Sequence, residues 1–83
     1  MRNATILYPA GSQPDLSQTP EEHILAAGLD PRWTEWADRG PASINDALLR
    51  LATRGAHRVE AVRVTLTGCG ELHLSTPRLR LLG

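Results

Sequence analysis

Residues 33–37 read Trp-Thr-Glu-Trp-Ala within the stretch Asp30 to Arg39 (DPRWTEWADR), and their conformation decides the fold of this chain. Asp30 before Pro31 reads as a helix N-cap, and Trp33, Trp36 and Ala37 share one helical face at i, i+3 and i+4. Trp33 to Ala37 reads equally well as a short strand, with the two tryptophans on opposite faces. As a helix, the segment gives three short helices, at about 20–27, 31–39 and 43–54, before a hairpin at 58–75; that is the order of a winged helix. As a strand, it joins a sheet covered by helices. The local residues leave both open.

The neighbouring elements are plainer. On the C-terminal side, Ser43 is expected to cap a helix with Asp46 at its third position, and Ile44, Ala47, Leu48 and Leu51 line one face. Arg50 and Arg54 suit the negative end of that helix, and Gly55 stops it. Arg58 to Leu66 (RVEAVRVTL) follows as a strand in which Val62, Val64 and Leu66 alternate with Arg63, Thr65 and Thr67. Leu72 and Leu74 alternate with His73, so a hairpin turning at Gly68 to Gly70 fits, with a last apolar alternation at Leu79 and Leu81. Arg63 must be explained by any sheet covered on both faces. On the N-terminal side, Thr19-Pro20-Glu21-Glu22 is a capping box that opens a helix ending at Gly28. Ala10 to Gln18 is turn-rich, and Ala4 to Tyr8 is a first strand closed by Pro9. The expected fold is one α/β domain over residues 1–83, with a small three- to four-stranded sheet and two or three helices. The alternative is an α+β arrangement with a C-terminal antiparallel hairpin.

Eighty-three residues leave room for one thin core. Cys69 is the only cysteine, so no disulfide forms within the chain; with no signal-peptide pattern, a cytoplasmic location is expected. The longest apolar run, Ile24 to Ala27, is too short to span a bilayer, and no membrane partner is expected. Nine arginines balance nine acids, with no lysine, so nothing in the net charge advertises nucleic acid. A net charge of zero gives little protection against self-association, and a homo-oligomer or a partner chain is expected.

Two stretches together resemble the short sirohydrochlorin chelatases of the cobalt and sirohaem pathways. Thr5 to Gln13 (TILYPAGSQ) looks like that family's first strand and loop, a strand ending in His-Gly-Ser; Gly11-Ser12 match, and Ala10 stands where the family has a metal-binding histidine. Trp36 to Leu72 is similar to the segment of strand, acidic residue, helix starting at a serine, Gly-Ala, strand and glycine-containing loop. Asp38 takes the acidic position, Ser43-Ile44 and Ala47-Leu48 fit the helix, and Gly70-Glu71 fall where the family has Gly-His, its second metal-binding histidine. The interval between the two stretches is shorter than in the family, and the family's later strands and helices have no counterpart. The resemblance therefore implies a degenerate, truncated, chelatase-like half, which binds a divalent metal such as cobalt, nickel or iron and a tetrapyrrole, whether or not it retains catalysis.

Metal insertion needs a ligand for the ion and a base for the pyrrole protons, and imidazole or carboxylate serves both. Cys69, Glu71 and His73 lie within five residues and share a face if extended, which makes them the candidate metal ligands. Glu71 is also the candidate base, and Ser12 after Gly11 is the candidate for holding an anionic group of the ligand. Simpler roles suit the same residues: a small turn residue for Cys69, a solvated carboxylate for Glu71, a polar-face residue for His73. Loss of the histidine at position 10 also fits a non-catalytic interaction module. The winged-helix reading would use Arg50, Arg54, Arg58 and Arg63 as phosphate contacts.

Overall fold

The computed structural model describes residues 2–9, 21–37, 41–67, 71–75 and 78–83. They form strands β1 (Asn3–Pro9), β2 (Thr34–Trp36), β3 (Arg58–Leu66), β4 (Leu72–Leu74) and β5 (Leu79–Leu82), with helices α1 (Glu21–Ala26) and α2 (Pro41–Thr53). The deciding stretch is a strand. A 3₁₀ turn at Pro31–Trp33, capped by the Asp30 carboxylate accepting from the Arg32 amide at 3.0 Å, turns the chain into β2. Proline at its first position suits a turn that needs no donor there. The three-helix order of a winged helix is therefore not formed.

The sheet runs β2-β1-β3-β4, with β5 also bonded to β3. β1 is parallel to both neighbours, Leu7 facing Trp36 on one side and Val62 on the other. β4 and β5 are antiparallel to β3, against its C-terminal and N-terminal parts respectively. The sheet is thus a parallel α/β core closed by an antiparallel hairpin, with five strands where three or four were expected.

Alternation on β1 and β3 sorts the core into two faces. Ala4, Ile6, Val59 and Ala61 meet Ala47 and Leu51 of α2, together with Ala37 and Ala56. Leu7, Val62 and Val64 form the other face with Leu29, Trp36 and Leu74. The chain order makes α2 pass from the end of β2 to the start of β3, across β1 between them. Alanines at positions 4, 47 and 61 leave room for that close approach. Arg63 has the parity of Val59 and Ala61 but lies further along β3, and it is exposed. The cover on that face reaches the first half of β3, so the alternating strand and the doubly covered sheet are compatible.

α2 begins at Pro41, two residues before the expected cap, so Ser43 lies inside the first turn. Proline's preset φ suits the first helical position. Both helices end as expected at glycine. Gly28 has φ +83° and Gly55 φ +103°. Leu29 donates to Ile24 O at 3.1 Å and Gly28 to Leu25 O at 3.0 Å; Ala56 donates to Leu51 O at 3.0 Å and Gly55 to Ala52 O at 3.1 Å. Each pair is a Schellman cap, and each following residue joins the core. Among the described residues no helix is long and apolar enough to cross a membrane.

Candidate functional site

In an open sheet of this kind, the order β2-β1-β3 makes the carboxyl end of β1 the place where successive connections diverge, and crevices form there. β1 ends at Pro9 beside Val64, and β3 ends two residues later beside Leu72. Residue 71 therefore stands at the same sheet end as Pro9, the last residue of β1. Ala10, Ser12, Asp38 and Cys69 lie outside the described residues.

The hairpin holds Glu71 by its backbone. The Thr67 amide donates to Glu71 O at 2.8 Å, and the Glu71 amide donates to Thr67 Oγ1 at 3.1 Å. Among the described residues its carboxylate has no hydrogen-bond or ion-pair partner. Glu71 and Leu72 form one wall of a cleft of about 170 Å³, and His23, Ala26 and Ala27 of α1 and its end form the other.

His23 lies in α1. Its Nδ1 is buried without a hydrogen-bond partner. A buried polar atom left in that state costs about 1–3 kcal/mol, and such atoms are few in folded proteins. No local signal in the sequence marks it, because its neighbour Glu71 comes from the far end of the chain.

His73 is placed differently. It is exposed and sits opposite Thr65, while Leu72 and Leu74 on either side of it are half-buried and Leu74 packs against Leu7, Val62 and Val64. The alternation turns His73 to the other face, and it does not line the cleft. Among the described residues no three His, Cys, Asp or Glu side chains converge as a ready-made metal cage.

Several of the described charged residues are paired with one another. At the N-terminal end of the parallel strands, Arg2 and Arg54 stack on the Trp33 ring at 5.5 and 5.2 Å, and Glu35 receives Arg50 at 3.6 Å and Arg54 at 3.4 Å. Arg58 and Arg78 both approach Glu60, at 3.7 and 3.8 Å. Around the cleft, Glu71 faces α1, whose first turn carries Glu21 and Glu22. Comparison with known protein families, with curated proteins and with solved structures gave no match.

Proposed function

We propose that the chain is a chelatase-like module that binds a divalent metal ion as its cargo at the carboxyl end of its parallel strands, with Glu71 as ligand and base. One observation carries this reading: β1 and β3 are adjacent and parallel, so Pro9 at the end of β1 and Glu71 share one end of the sheet. The short parallel strand at Thr34–Trp36 supports it, since a helix there would be foreign to a chelatase-like sheet. A cleft of about 170 Å³ is below the roughly 300–1,000 Å³ of sites that enclose larger ligands. It suits an ion and its waters; a tetrapyrrole would lie across the open rim, with a second chain covering its other side.

The test is calorimetric titration of the full chain with Co²⁺ and Ni²⁺, with Glu71→Gln beside the native protein. Binding by the native chain that weakens at least tenfold in the variant supports the reading. Absence of binding, or equal binding by the variant, removes it.

A second reading, a non-catalytic module that pairs with another copy, rests on β5. This edge strand leaves Leu79 57% and Leu82 38% exposed, apolar surface of the kind edge strands usually avoid. Sedimentation that gives a monomer at all concentrations removes it.

A further inference from the structure

We infer that the part of the sheet's α2 face left uncovered by the helix binds the anionic oxygens of a phosphate or carboxylate ligand, with Arg63 at its centre and Tyr8, Thr65 and His73 around it. The inference stands apart from the reading of Glu71 as a metal ligand. Strand register brings the four residues together. Tyr8 is the partner of Arg63 across β1 and β3, and His73 is the partner of Thr65 across β3 and β4. Val62 and Val64 belong to the other face, so alternation turns Arg63 and Thr65, and with them Tyr8 and His73, to the α2 face. Tyr8 packs against the core on that side. The cover from α2 reaches only the first half of β3, so Arg63 and His73 are exposed and Tyr8 and Thr65 half-buried.

All four side chains can donate. Arg63 offers a planar guanidinium suited to two oxygens at once, His73 a ring N–H, and Tyr8 and Thr65 hydroxyls. Among the described residues none of these side chains has a hydrogen-bond or ion-pair partner. Arg63 differs in this from Arg50, Arg54, Arg58 and Arg78, each of which meets a glutamate. Adjacent strands lie about 4.8 Å apart and alternate residues of one strand about 6.6 Å, with diagonal neighbours at about 7–8 Å still in reach of long side chains. An oxyanion over Arg63 is therefore within reach of Tyr8 and Thr65 beside it and of His73 on the diagonal. Among the described residues no carboxylate stands between them. Glu60 alternates to the other face, where Arg58 and Arg78 approach it, and Glu71 lies beyond His73 at the hairpin end. Hydroxyl and ring donors around one unpaired guanidinium favour an oxygen anion over a cation or an apolar ligand.

The experiment titrates the ¹⁵N-labelled full chain, with EDTA present and ionic strength held constant, with inorganic phosphate and separately with tricarballylate. Saturable shifts should appear at the Arg63 Nε–H and the His73 imidazole, while the side chain of Arg32, exposed elsewhere on the molecule, stays in place. This readout does not depend on any variant folding. Arg63→Gln should weaken binding roughly tenfold or more, the loss expected of one charge-assisted contact, and Arg32→Gln should leave it unchanged. Saturation by phosphate alone assigns a phosphoryl group, by tricarballylate alone a carboxylate, and by both a site for either; each supports the inference. Absence of saturation with both anions, shifts spread equally over the arginines, or an Arg63→Gln variant that binds no worse than Arg32→Gln overturns it. Because EDTA keeps the chain free of metal, neither result bears on Glu71 as a ligand.

Discussion

The Glu35 carboxylate of β2 lies 3.4 Å from the guanidinium of Arg54, just beyond the end of α2. Arg54 also donates to the carbonyl of Arg32 and stacks on the Trp33 ring. One side chain thus ties the end of the helix to the 3₁₀ turn and the strand that follows it. Ion pairs this exposed contribute little, about 0–1 kcal/mol, whereas the carbonyl and ring contacts add to Arg54 alone. Glu35→Gln should therefore cost under about 1 kcal/mol, and Arg54→Ala roughly 1–2 kcal/mol. Urea denaturation of both variants decides it; equal losses would mean that the ring and carbonyl contacts contribute nothing.

Leu51 is fully buried between α2 and the sheet. Leucine-to-alanine changes at such sites cost about 2–5 kcal/mol. A chain of 83 residues has a total stability on the order of 4–12 kcal/mol. Leu51→Ala should consequently lose a large share of the folded state, seen as a lower denaturation midpoint. Leu49 on the same helix is 65% exposed, and Leu49→Ala should change the midpoint little.

Gly55 has φ +103°, and nothing lies within 4 Å of where a Cβ would stand. The cost of Gly55→Ala is therefore backbone strain without a clash, about 1–2 kcal/mol. Gly55→Asn should recover part of it, since asparagine tolerates this region better. If alanine and asparagine are equally harmful, a contact rather than the backbone is responsible.

Thr67 closes the hairpin through its own amide and its hydroxyl, both on Glu71. Thr67→Val removes the hydroxyl contact alone, and should cost about 0.5–1.5 kcal/mol. If Glu71 binds metal, the same change should weaken Co²⁺ binding several-fold, because the residue is no longer held at its amide. A stable variant with native metal affinity would show that this bond does not position the carboxylate.

Elements governed by local chemistry were legible in the sequence. The ends of both helices follow from glycines at 28 and 55, and β3 from its alternation. The start of α2 was misread by two residues because Ser43 is a good cap residue, whereas the helix opens at Pro41, whose fixed φ suits the first helical position. β2 was undecidable because its stability comes from outside it: Leu7 supplies the register partner of Trp36, and no local propensity encodes that pairing. The site divides in the same way. Glu71 was marked by its place after a glycine-rich turn. No local signal marks His23, which lines the cleft only because the fold brings α1 against the hairpin. The grouping of Glu71 with His73 assumed one extended face, whereas the cleft draws on the residues before and across from that strand.

β3 is bonded to β1 along Arg58 to Val64 on one side and to β5 and β4 on the other. At Val59 to Ala61, and again at Val64, β3 has a partner strand on both sides, so an amide there reaches solvent only when one of those strands has left. Deuterium uptake along the chain should therefore be slowest there, and the residual protection at those positions should measure the lifetime of the entire fold. β2 and β5, each bonded on one side only, should exchange through smaller and more frequent openings.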